Sequence, residues 1–200
     1  MDIQVRKLQE GDNLSQVSRL IYETDNYIFP YFFGESATSA KEILPHMIER
    51  DTIYNKGNIY VATTSDQIVA IAVVAPSPIS INVSAFVEAF DDAGAMIDDA
   101  FQSVMKEYFL PMETHPNGYY IANLCVDEAY RGKGFAGALI DSIVEFVGNE
   151  GDIYLDCLAD NNIALAVYEG HGFETLFSFD GFTGLKYYKL IKRAVRTEQE

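Results

Sequence analysis

Polar and apolar positions alternate through residues 2–9, "DIQVRKLQ", which predicts an opening strand. The period then lengthens. Leu14, Val17, Leu20 and Ile21 follow helical spacing, and Asp12 or Asn13 is able to cap a first helix running to about Glu23. Residues 24–34, "TDNYIFPYFFG", are too aromatic for an ordinary connection and are expected to form a lid or pocket wall, after which Ser36 caps a second helix to about Arg50. The runs "NIYVATTS" and "QIVAIAVVAP" are rich in β-branched residues and separated by a polar turn at Ser65 and Asp66, so they predict a hairpin ended by Pro76 and Pro78. From about residue 84 to 110, Phe86, Val87, Phe90, Met96, Ile97, Phe101, Val104 and Met105 predict two short helices interrupted at Gly94. "YYIANLCVD" then reads as a buried strand, "GFAGALIDSIVEFVG" as a helix, "DIYLDCLA" as a strand and "NNIALAVYEGHG" as a helix ending near Gly170 or Gly172. "FETLFSFDGFTGLKYYKLI" completes the pattern as two strands joined through a glycine-containing turn, followed by a polar tail over about 191–200.

The 200 residues, 48% of them hydrophobic, suit a single domain over 1–200. Thirty acidic against 14 basic residues give a formal charge of -16, which argues against nucleic acid or an anionic membrane as partner, because both require clustered cations. No stretch approaches the roughly 20 apolar residues of a membrane-spanning helix. The first residues also lack the basic-then-apolar layout of a signal peptide, so a cytoplasmic protein is expected. Cys125 and Cys157 sit in strand-like runs without metal-type spacing to the histidines, and buried reduced thiols are expected, with neither disulfide nor metal. Glu88, Asp91, Asp92, Asp98 and Asp99 ride on the helical stretch, where a solvated face accounts for them.

Between the buried strand and the next helix lies "RGKGFA", residues 131–136. Gly132 and Gly134 keep side chains out of the way, and successive backbone N–H groups beside the positive end of a helix suit a pyrophosphate. Phe135 and Ala136 follow the last glycine where a Walker loop has Lys and then Ser or Thr, and the dinucleotide fingerprint also fits poorly. Taken alone, these residues leave open a tight turn that needs glycine only for its dihedral angles.

The flanking residues decide between the two. Arg131, Gly134 and Ala136 match one signature of the GNAT acyltransferase superfamily (Arg or Gln, two residues, Gly, one residue, Gly or Ala). Asn161, Ala164, Tyr168, Gly172 and Phe173 match a second, later one. The chain resembles that family over about residues 2–190. The resemblance implies an α/β (α+β) fold with a central, mixed, mostly antiparallel sheet of about seven strands flanked by helices. The helical insert between strands three and four departs from the plainest members, which turn tightly there.

It also implies acetyl-CoA as cosubstrate and direct transfer to a primary amine of a small molecule or peptide, by a monomer or homodimer. The fourth strand of such proteins bulges and splays from the fifth, exposing backbone groups to the pantetheine arm, and Leu124, Cys125 and Val126 occupy that place. Arg131, Gly132, Lys133, Gly134, Phe135 and Ala136 take the pyrophosphate, Asn161 the pantetheine arm, and Tyr168 puts its hydroxyl near the thioester sulfur. Tyr120 stands where some relatives carry a glutamate, and as a phenol is a poor base at neutral pH. Glu23 and Asp25 could bind an ammonium and relay its proton, or could only end a helix and start a loop. Tyr27, Phe29 and Tyr31, with Phe32 and Phe33, could box a cation or an apolar side chain, part of the set being core. The acidic surroundings favour a cationic acceptor. A binding module that keeps acyl-CoA without turnover, or a transferase for a longer acyl chain, are the alternatives.

Overall fold

The computed structural model describes residues 2–33, 37–97, 101, 105–107, 115–148, 150–181 and 184–194. Seven described strands form one sheet: β1 (Gln4–Lys7), β2 (Ile59–Thr64), β3 (Gln67–Ser77), β4 (Gly118–Val126), β5 (Asp152–Leu158), β6 (Glu174–Asp180) and β7 (Lys186–Lys192). Their order is β1-β2-β3-β4-β5-β7-β6, and every pairing is antiparallel except that of β4 with β5. The expected mixed sheet is therefore present.

Helices cover both faces. On one lie α1 (Leu14–Tyr22), α2 (Phe29–Phe33), α3 (Ala37–Ile48) and α4 (Val83–Asp92), which bury Val17, Leu20, Ile21, Phe29, Leu44 and Phe86 against Val61, Ile71, Val73 and Tyr120. On the other lie α5 (Phe135–Val147) and α6 (Asn162–Gly170), with Leu139, Ile140, Ile143 and Tyr168 against Ala70, Ala72, Ile121 and Leu155. Strand alternation produces this two-sided core: neighbouring residues such as Tyr120 and Ile121 serve opposite layers.

Local chemistry settles several boundaries. Asn13 caps α1, its Oδ1 accepting from the Gln16 N–H at 3.1 Å, because Asp12 is held by Arg6 in a two-pronged ion pair at 2.7 and 2.8 Å. Ser65 and Asp66 both have positive φ, 49° and 62°, in the turn joining β2 to β3. β3 runs past the expected stop, through Pro76 to Ser77. It can do so because β2 ends its pairing at Ile59 with Val73, leaving Pro76, paired only with β4, without a ladder partner for its missing N–H. The first helix of the insert is α4, which ends at Asp92 and is capped by Ala93, with Gly94 at φ 67° just beyond. Most of the expected second helix lies outside the described residues, as do Ser36, Asp98, Asp99 and the end of the tail.

The feature that positions the site is the β4–β5 pair. Register with β3 shifts between Val73, opposite Asn123, and Val74, opposite Ile121, so Ala122 is an extra residue bulging from β4. Pairing with β5 stops at the same level, with Ile121 opposite Leu155. Beyond that point β4 and β5 are no longer paired, and among the described residues no backbone hydrogen bond joins them.

Candidate active site

Residues 131–134 pass exposed between the end of β4 and α5. Gly132 and Gly134 take φ of 72° and 87°, values that favour glycine, and a Cβ on either would point into open space. Gly134 caps α5 without a side-chain hydrogen bond. Among the described residues the N–H groups of Gly132, Lys133 and Gly134 have no backbone acceptor, and the first amides of α5 have none by helix geometry. The loop is held from behind. Arg131 Nε donates to the Val126 carbonyl at 3.1 Å, and Lys133 Nζ donates to the Ala129 carbonyl at 2.8 Å while lying 5.0 Å from the Tyr130 ring centre. Amides without backbone acceptors, a helix N-terminus and two cations are a combination able to cradle an anion.

On the α1 side of the opening sits a buried ionic cluster that sequence reasoning missed. Asp156 is the first β5 residue beyond the pairing with β4, and in the β5–β7 register it lies opposite Lys189. Tyr120 donates its hydroxyl proton to Asp156 Oδ2 at 2.7 Å. Lys189 Nζ is 2.5 Å from Asp156 Oδ1, an ion-pair contact off the direction of a hydrogen bond, and donates to His115 Nε2 at 2.7 Å. The ammonium also lies 5.0 Å from the Tyr120 ring centre and 5.4 Å from that of Phe179. His115 stacks on Tyr154 at 4.7 Å and on Tyr120 at 5.3 Å.

Lys189 is only 1% exposed. Burial raises the Asp156 carboxyl above the ordinary range, opposed by Lys189 and the Tyr120 hydroxyl, and it lowers Lys189, opposed by Asp156. Burial and the neighbouring Lys189 charge depress His115 to about 4, so it is neutral and able to accept. The missed signal was a charge at an inward position of each strand: Asp156 between Leu155 and Cys157, and Lys189 between Tyr188 and Leu190.

The α1–α2 connection closes this side. Glu23 is paired with Arg19 at 2.8 Å, and Arg19 also holds Asp127, so ion pairs fasten the last turn of α1 to the end of β4. Asp25 Oδ1 accepts from the N–H groups of Tyr27 and Ile28 at 2.8 and 3.0 Å, and its Oδ2 receives the Tyr187 hydroxyl at 3.4 Å. Asp25 thus shapes the connection and joins it to β7. Phe29 belongs to the core, fully buried with its ring 5.6 Å from that of Phe33, whereas Tyr27 and Tyr31 are exposed.

Across the sheet, Asn161 caps α6, its Oδ1 accepting from the Ala164 N–H at 3.1 Å. Tyr168 is buried edge-on to Phe173 at 5.7 Å, and its phenol is pushed up by burial and then by the neighbouring Cys157. Burial pushes the thiols of Cys125 and Cys157 up to about 11 and about 12. Among the described residues no group of three or more His, Cys, Asp or Glu could hold a metal ion, and no helix is long and apolar enough to cross a membrane.

Residues 22–173 match the model of the Acetyltransferase (GNAT) family. One segment is 40% identical over 63 residues to an uncharacterized protein of Mycobacterium leprae, covering 32% of this chain and 17% of that one. Another match, 36% identical over 61 residues, is to the N-alpha-acetyltransferase RimI of Mycobacterium tuberculosis, covering 30% of this chain and 38% of that protein. The matches thus span well under half the length of either relative. An N-acetyltransferase from Staphylococcus aureus shares the fold, with a TM-score of 0.68 at 16% identity over 94% of this chain and 100% of the other.

Proposed function

The chain belongs to the GNAT acetyltransferase family, and from that premise we propose that it transfers the acetyl group of acetyl-CoA directly to a primary, preferably cationic, amine of a small molecule or peptide. The observation that carries this reading is the parting of β4 and β5 beyond Ile121 and Leu155, with the anion cradle on one side and the Tyr120–Asp156 hydrogen bond on the other. Acetyl-CoA supplies an activated acyl group. Leu124, Cys125 and Val126 offer main-chain groups to its pantetheine arm, and an N–H near Val126 stabilises charge building on the carbonyl oxygen. Residues 131–136 hold the pyrophosphate. As the amine nitrogen bonds to the acyl carbon and the carbon–sulfur bond breaks, the amine loses a proton and the departing thiolate gains one.

Tyr120 alone is a poor base, but its hydrogen bond to Asp156 makes it a relay: its oxygen takes the amine proton as its own proton passes to the carboxylate. A carboxyl raised by burial is better matched to that task than an ordinary one. Tyr168 is the donor to the thiolate. The cysteine thiols, at about 11 and about 12, remain protonated at neutral pH, which supports direct transfer over an acyl-cysteine route. The similarity to an N-alpha-acetyltransferase favours a peptide N-terminus within the amine class.

Gly134→Val is expected to weaken acetyl-CoA binding about tenfold or more, because a branched side chain projects where the anion approaches, with a stability cost of about 1–2 kcal/mol from the left-handed backbone. Gly134→Ala carries nearly the same backbone penalty with less bulk. Calorimetry in which both folded variants bind like wild type removes the cradle assignment.

Thiol release from acetyl-CoA, followed across an amine panel, tests the activity itself. With a chain charge of -16 and Glu23 and Asp25 at the acceptor side, kcat/KM for a diamine should fall with added salt more steeply than for a neutral-tailed amine. Glu23→Gln with Asp25→Asn should narrow that difference. A panel in which acidic or neutral-tailed amines outcompete every cationic one, with no response to the two substitutions, rejects the cationic preference, and binding without release rejects the transferase.

A further inference from the structure

Asn123 is 2% exposed, and among the described residues neither its Nδ2 nor its Oδ1 has a hydrogen-bond partner. Burial of a carboxamide with both ends unsatisfied is unfavourable, and such groups in native proteins call for an explanation. Its place in the fold supplies one. The bulge at Ala122 sets Asn123 opposite Val73, which packs in the α1-side layer, so its side chain is on the face that carries Tyr120 and Cys125. Along that face Tyr120 leads to Asp156, while the Cys125 thiol feels the charges of Glu23 and Arg19. Asn123 therefore stands between the buried acid cluster and the end of α1, at the level where β4 leaves β5.

We infer that the Asn123 carboxamide is an acceptor subsite that binds a secondary amide close to the reacting amine, as in the first peptide unit of a peptide N-terminus. A carboxamide presents one acceptor and one donor face, the complement of the C=O and N–H of a peptide bond. A simple diamine or alkylamine offers no such pair and leaves both atoms orphaned. The side of the sheet separates this role from donor binding: the anion cradle leads into α5, which packs on the opposite layer. The bulge is what gives the position to Asn123. Were Ala122 paired regularly opposite Val73 instead of bulging, Asn123 would fall opposite Ala72 and its side chain would face the α5 layer. The inference rests on the transferase reading for its chemistry, but its geometry is independent of which residue is the base.

The test compares alanine N-methylamide with 2-aminopentane, which keeps the amine and the chain but lacks the amide, in wild type and Asn123→Leu. The apolar replacement of similar size should leave thermal stability unchanged or raised, since it removes two unsatisfied atoms and no hydrogen bond. It should lower kcat/KM for the amide about tenfold or more. Values for 2-aminopentane and the affinity for acetyl-CoA should stay at wild-type level. An equal loss for both amines, or a loss of acetyl-CoA affinity, overturns the assignment, the latter by moving Asn123 to the donor. Unchanged amide kinetics with reduced stability overturns it as well, because Asn123 then holds only a buried water. If wild type acetylates neither amine while turning over others of the panel, NMR titration of the same two amines in the presence of CoA decides the subsite: selective weakening of the amide in Asn123→Leu sustains it, and equal binding by both proteins ends it.

Discussion

Asp156→Asn is expected to lower kcat/KM by about 10²- to 10³-fold, the usual contribution of a positioned general base, with acetyl-CoA affinity unchanged. The carboxamide oxygen can still accept the Tyr120 hydroxyl but cannot take its proton. In wild type the rate should fall at acid pH as Asp156, raised by burial, becomes protonated, and that limb should vanish in the variant. Stability changes too. Removing the carboxylate leaves Lys189 buried and unpaired, a loss typically of about 3–5 kcal/mol. Deprotonation of Lys189 relieves part of it. The unfolded chain then binds a proton that the native state has lost, so the variant's stability should rise with pH toward the ordinary lysine range. Asp156→Asn with Lys189→Met separates the two effects: it should recover most of the stability and none of the turnover. A double variant that regains wild-type kcat/KM along with its stability would reduce the cluster to a structural ion pair.

The parts of the fold governed by local pattern were legible. Alternation and helical spacing located the strand, glycine loop and helix around residues 118–147, and the paired motifs identified the family whose model the chain matches. Asp156, Lys189 and Tyr120 were harder because they meet through pairing. Asp156 faces Lys189 only in the observed β5–β7 register, and Tyr120 reaches the same point only because β4 lies parallel to β5, with Tyr120 opposite Tyr154. No local pattern encodes those neighbours, although charges at inward positions of apolar strands marked something in need of a partner. Asn123 was harder still, since its face depends on one bulged residue. The aromatic segment shows the reverse: Phe29, Phe32 and Phe33 have the i, i+3, i+4 spacing of a buried helix face, and the structure buries all three, leaving Tyr27 and Tyr31 exposed.

Tyr168→Phe should lower kcat by about 10²-fold or more and leave acetyl-CoA affinity and stability near wild type, because the ring and its contact with Phe173 are preserved. A phenol raised by burial is by itself too weak an acid for a thiolate of ordinary basicity, and the neighbouring cysteine resolves the mismatch. The Cys157 thiol beside Tyr168 is itself pushed up to about 12, so a thiolate formed in the same apolar surroundings also becomes more basic, and proton transfer between the two approaches balance. The hydroxyl stays protonated across the neutral range, which a donor requires. The expected signature is therefore a kcat loss sensitive to the leaving thiol: an acyl donor with a more acidic thiol should recover part of the rate in Tyr168→Phe and gain little in wild type. Equal responses of the two proteins to thiol acidity, or full activity of the phenylalanine variant with acetyl-CoA, would leave Tyr168 as a packing residue of the α6 layer.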